Sequence, residues 1–185
     1  RNCYQKELIF SISGMHNATL HEQLVNFSIA LKEAKHSRAR PIAPNSWIDA
    51  FEELKEFILS KKTKSKKVLF FDELPWLDTP KSNFMQALDL FWNSWATQRS
   101  DIVLVICGSA ASWMIKKVLN NKGGLHNRVT KRIRLLPFTL RETELFLKYK
   151  QVKYDRYSIA QLYMAIGGIP FYLNEVKKRK SVAQN

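Results

Sequence analysis

The run Val68-Leu69-Phe70-Phe71-Asp72-Glu73 constrains this chain more than any other stretch. Four consecutive apolar residues form a short strand buried on both faces, the pattern of a strand inside a parallel sheet. Two adjacent carboxylates at its carboxyl end are costly to desolvate unless something cationic faces them. A second run of this kind, Ile102 to Cys107, leads into Gly108-Ser109, which opens a helix. Between the two runs, Thr79-Pro80 supplies a cap and a first-turn proline. The helix they start carries Phe84, Leu88, Phe91, Trp92 and Trp95 on its packing side.

The same alternation extends in both directions. Glu7 to Ser13 reads as a strand ending at Gly14. Asn17 to Lys35 places Leu20, Leu24, Phe27 and Leu31 at helical spacing, with Asn17 or Thr19 as the cap. Ser46 opens a second helix with Asp49 three residues on and an apolar face of Trp47, Ala50, Phe51, Leu54 and Phe57 or Ile58. After a Gly123-Gly124 loop, Ile133 to Leu136 reads as a fourth strand closed by Pro137. Thr139-x-x-Glu142 is a capping box opening another helix. Two short helices interrupted by Gly167-Gly168-Ile169-Pro170 complete the chain. Buried strands alternating with amphipathic helices predict an α/β protein with a largely parallel sheet. In such sheets ligands bind beyond the carboxyl ends of the strands, where Asp72, Glu73 and Ser109 fall.

Those residue types suit phosphoryl chemistry. An Asp there holds Mg²⁺, usually through a water, and a neighbouring Glu orients and polarises an attacking water. The bland reading is an acidic pair that caps the next helix or meets a lysine. Ser109 can hydrogen-bond a γ-phosphate or the attacking water, or can serve only as a helix N-cap. Arg128, in Leu125-His126-Asn127-Arg128-Val129-Thr130, can neutralise charge on a γ-phosphate, but Arg132, Arg134 and Arg141 surround it and any of them can be plain surface. Gly167-Gly168-Ile169-Pro170 either admits a ligand against the backbone or simply ends a helix.

In order, the segments D-E-L-P-W-L, C-G-S-A-A-S-W-M, L-H-N-R-V-T-K-R-I-R-L-L-P-F and G-G-I-P-F-Y-L resemble the archaeal-type ATPases, prokaryotic AAA+/STAND proteins of the P-loop class. The resemblance covers nearly the whole chain. It implies a parallel P-loop NTPase sheet flanked by helices over residues 1–138, and a small helical, lid-like part over 139–185. It implies ATP and Mg²⁺ as cofactors, with a Walker B pair at Asp72 (metal, through water) and Glu73 (catalytic). It also implies a sensor position at Ser109, an arginine-finger-like Arg128, and an adenine-facing element at Gly168 and Pro170. One departure stands out: no G-x-x-x-x-G-K-[ST] loop occurs in the 185 residues, and Gly14-Met15-His16 has no Gly-Lys partner. The family's first strand would lie between the strands of Ile102 and Ile133, so its absence leaves two unpaired apolar edges. The chain is therefore expected to be part of a longer protein, and by itself to bind ATP weakly and turn it over negligibly.

Charge separates the alternatives. The net charge is +14, and residues from Ser109 onward carry 16 Lys/Arg against 4 Asp/Glu. That imbalance suits nucleic acid, an acidic protein partner or nucleotide phosphates. A solvated basic surface accounts for it equally well, because no helix-turn-helix or aromatic-interleaved basic motif is legible. A nucleic-acid-binding regulator on a degenerate ATPase scaffold is thus the main alternative to a nucleotide switch. A third is an interaction module that self-assembles through Trp76, Trp92 and Trp95. Cys3 and Cys107 read as isolated packing residues of a reduced, cytoplasmic protein, and the four histidines have no metal-ligand spacing. No apolar run reaches the ~18–20 residues that span a bilayer, and Arg1-Asn2-Cys3-Tyr4 does not open a signal peptide.

Overall fold

The computed structural model describes residues 6–63, 65–120, 125 and 128–185. They form an α/β protein of two compact units, Arg1–Thr130 and Lys131–Asn185. Cys3, Gly123, Gly124, His126 and Asn127 lie outside the described residues. No helix among the described residues is long and apolar enough to cross a membrane.

The first unit is built on strands β1 (Leu8–Ser13), β2 (Lys67–Asp72) and β3 (Ile102–Ile106), all parallel, in the order β1-β2-β3. Helix α1 (Leu20–Ala34) starts at Thr19, whose side chain and Glu22 form a capping box. Helix α2 (Trp47–Ser60) starts at Ser46, whose side chain accepts from the Asp49 N–H. Their apolar faces meet the sheet in an aromatic layer. Phe51 stacks on Phe71 and Phe91, and Phe27 and Phe84 each meet Trp47 edge-on. Ring pairs of this kind add to the area they bury.

After β2 the chain turns through a short helix, α3 (Leu74–Leu77), with Pro75 in its first turn. Helix α4 (Phe84–Ser94) begins at Asn83, not at Thr79-Pro80 as expected. The reason is local. The Thr79 N–H closes on Leu77 O, and Ser82 closes a turn on Thr79, with Lys81 and Asn83 both left-handed. Beyond β3, helix α5 (Ala111–Trp113) runs into a π-helical turn, Met114–Leu119. Gly108-Ser109 therefore precedes the helix and does not cap it.

Two strand expectations are corrected. β3 is not buried on both faces: Val103 and Val105 remain 38% and 37% exposed, since β3 is the sheet's edge. Ile133 to Leu136 is no fourth strand. It has no regular secondary structure and no ladder partner among the described residues, with Ile133, Leu135 and Leu136 at 74%, 90% and 67% exposure. A strand exists only by pairing, and no described strand adjoins β3 on that side.

The second unit has its own core of Leu147, Val152, Ile159, Leu162, Leu173 and Val176. Helix α6 (Leu140–Tyr149) starts from the Thr139–Glu142 capping box. Helix α7 (Arg156–Ile166) starts from Asp155, and α8 (Pro170–Glu175) carries Pro170 in its first turn. Phe138 belongs with this unit: its N–H donates to Gly168 O and its ring packs on Phe146.

Candidate functional site

Parallel pairing brings the carboxyl ends of all three strands to one edge. The Gly14 N–H donates to Asp72 O at 2.9 Å, the Cys107 N–H to Phe71 O at 2.9 Å, and the Leu74 N–H to Cys107 O at 2.9 Å. The approach is close enough to need glycine. A Cβ on Gly14 would come within 2.6 Å of Glu73 O, and one on Gly108 within 2.6 Å of the Pro75 ring.

At this edge the two acids are half-buried and hold different partners. Asp72 Oδ1 accepts the Cys107 thiol at 2.7 Å and the Glu73 N–H at 3.0 Å. Glu73 Oε2 accepts both the Ser109 N–H, at 3.1 Å, and the Ser109 hydroxyl, at 3.0 Å. Glu73 itself is left-handed, at φ 46° and ψ 50°, a conformation costly for a residue with a side chain. Burial, and then the Asp72 carboxylate, push the Cys107 thiol up to about 11, so it is a neutral donor at physiological pH.

Neither carboxylate has an ion-pair partner among the described residues. No described lysine therefore meets the pair as the bland reading expects. Asp72 Oδ2 and Glu73 Oε1 take no hydrogen bond within that set. Hard oxygen donors without a counter-charge match the preference of Mg²⁺. No group of three or more His, Cys, Asp or Glu side chains that could enclose a metal occurs among the described residues. An ion held here would keep water or substrate oxygens in most positions, as Mg²⁺ does in phosphoryl-transfer sites.

The site contains partners the sequence did not suggest. Cys107, read as a packing residue, is bonded to Asp72. The signal for it was its place at the tip of the neighbouring strand. Gln23, fully buried on α1, accepts the Met15 N–H and donates to Met15 O at 2.7 Å and Trp76 O at 2.9 Å, tying α1 to both strand exits. A polar residue beside the Leu20-Leu24-Phe27 stripe was the visible cue.

The remaining candidates belong to other segments of the chain. Arg128 is exposed, its N–H closing a turn on Leu125, and its guanidinium has no partner among the described residues. Gly168 and Pro170 belong to the second unit. Gly168 does permit close backbone approach, but the backbone that fills the space is that of Phe138. Gly167, at φ 66°, ends α7. Two open grooves run along α1, about 400 Å³ beside Thr19 and Asn45 and about 200 Å³ beside Met15 and Ile29. Neither includes Asp72, Glu73 or Ser109. No family model matches the chain, and neither does any curated protein or solved structure.

Proposed function

We propose that this chain is a nucleotide-switch module of the AAA+/STAND P-loop class, binding ATP with Mg²⁺ and hydrolysing it within a longer protein. The observation that carries the reading is a pair of adjacent carboxylates at the tip of the central strand of a parallel sheet, bonded to a serine and without an ion-pair partner among the described residues. A bound Mg²⁺ would neutralise the pair and draw charge from the phosphates. Asp72 would hold it through its free oxygen or an intervening water. Glu73 would orient the attacking water with the oxygen that Ser109 leaves open, and Ser109 would fix the carboxylate's rotamer. The described residues supply no phosphate cradle, and the Ser109 N–H is already donated to Glu73, so the hold on the phosphates falls to residues elsewhere in the longer protein. Arg128, exposed and without a partner among the described residues, suits contact with the γ-phosphate from its own or a neighbouring copy. Gly168 and Pro170 would support a base only through the exposed side of the turn.

The test is Glu73→Gln in the longer protein. ATP turnover is expected to fall roughly 10²-fold or more, the scale of a lost general base, with ATP binding retained. Unchanged turnover sinks the reading.

A further inference from the structure

The second unit brings together cations that are dispersed in the sequence. Lys150 and Lys153 lie on the connection between α6 and α7, and the run from Lys177 to Lys180 follows α8. The two stretches are tied directly. Lys178 Nζ donates to Gln151 Oε1 at 2.8 Å, the Tyr154 hydroxyl donates to Lys180 O at 2.6 Å, and Lys150 Nζ bonds Asn174. Asn185 closes the arrangement, donating to the Tyr154 oxygen at 2.7 Å and accepting the Lys177 N–H at 2.7 Å.

These six cations have no carboxylate partner among the described residues. The acids that flank the two stretches are Asp155 and Glu175, and Asp155 is engaged as the cap of α7, accepting the Ser158 N–H at 2.7 Å. Six like charges on two bonded loops create a local positive potential that attracts an anion able to span them. Beside them, at the end of α6, Tyr149 is 85% exposed. The aliphatic residues in and next to the loops, Val152 and Val176, are buried in the core, so the loops offer no aliphatic side chain to lipid. Six charges also exceed what a single phosphate requires.

We infer that the two loops 150–154 and 177–180, with Tyr149, form a binding surface for single-stranded nucleic acid. The cations would track the phosphates and the phenol would stack on a base, the combination that binds single strands without reading sequence. This inference is independent of the ATPase reading, and its test contains no ATP.

The full chain is titrated against a labelled oligothymidylate of roughly 20 nucleotides, long enough to cover one such surface, across a salt series. Binding should weaken steeply with salt. Lys153→Gln, Lys177→Gln and Arg179→Gln together should reduce the log–log salt slope by about 2, as loss of three single-strand phosphate contacts predicts. Tyr149→Ala should weaken binding roughly tenfold while Tyr149→Phe retains it. Arg38→Ala with Arg40→Ala, an exposed basic pair of the first unit, should change little, and circular dichroism should confirm that every variant folds. The inference is overturned if the triple variant binds like the parent, if the Arg38/Arg40 control loses as much, or if Tyr149→Ala is silent. Equal binding to polyglutamate or phosphatidylserine vesicles would also overturn it, in favour of unspecific polyanion attraction.

Discussion

Ser109 donates its backbone N–H and its hydroxyl to the same oxygen of Glu73, at 3.1 and 3.0 Å. A carboxylate gripped twice on one oxygen presents the other in a fixed direction. The grip crosses from β3's exit to β2's, so the orientation of Glu73 depends on the register of the sheet.

Ser109→Ala removes one of the two bonds. Because Ser109 is exposed, stability should fall by less than about 1 kcal/mol in urea denaturation. In the longer protein ATP turnover should fall at least roughly tenfold, the cost of mispositioning a general base. Ser109→Thr, which keeps the hydroxyl, should restore it. Full turnover in Ser109→Ala would mean that the hydroxyl has no part in positioning Glu73.

Glu73 adopts a left-handed backbone that glycine tolerates best. Glu73→Gly should therefore be more stable than Glu73→Ala, by about 1 kcal/mol, though both lack the carboxylate. Paired denaturation midpoints measure the difference. If alanine is as stable as glycine at this position, no strain is stored there.

At the opposite edge of the sheet, Lys67 is almost fully buried and pairs with Asp101 at 2.8 Å, which also accepts from Arg99 at 2.9 Å. Hydrogen bonds from Arg99 and then Lys67 hold the Asp101 carboxyl well below its ordinary value of 3.8. A depressed folded value stabilises above the unfolded one, so this contribution is complete above about pH 4 and drains away as pH falls further. Asp101→Asn should flatten that acid limb. It should also cost about 2 kcal/mol or more, because it strands a buried ammonium, whereas Lys67→Met should cost much less. Stability curves between pH 2 and 7, the span over which carboxylates titrate, decide it.

Gly167 and Gly168 separate two demands on glycine. Nothing lies near Gly167, whose φ of 66° alone requires it, so Gly167→Ala should cost on the order of 1–3 kcal/mol. A Cβ on Gly168 would strike the backbone of Phe138, so Gly168→Ala should cost more, beyond about 3 kcal/mol. Loss of helical signal from the second unit in urea is the measurement. The reverse order would refute the packing account.

Features written locally were legible in the sequence. The capping boxes at Thr19 and Thr139, the Ser46 cap and the apolar run of β2 depend on neighbours within a few residues. The acid pair was legible for the same reason. What depended on distant partners was not. Ile133 to Leu136 carries a strand's composition, but pairing is decided by a neighbour the sequence does not name. The Cys107–Asp72 bond spans 35 positions and forms only through parallel register. The left-handed turn at Glu73 reverses the usual expectation for a glutamate, because Leu74 must reach Cys107 O. The first helical turn after β2 was hidden by the more conspicuous Thr79-Pro80.

Gly14 and Gly108 carry no functional group, yet each lies against the segment that aims the acids. An alanine at either would shove Glu73's carbonyl or the Pro75 ring sideways. In an unbiased mutational screen, these two silent positions should therefore score alongside Asp72 and Glu73, and be mistaken for ligand contacts by anyone reading phenotype without coordinates.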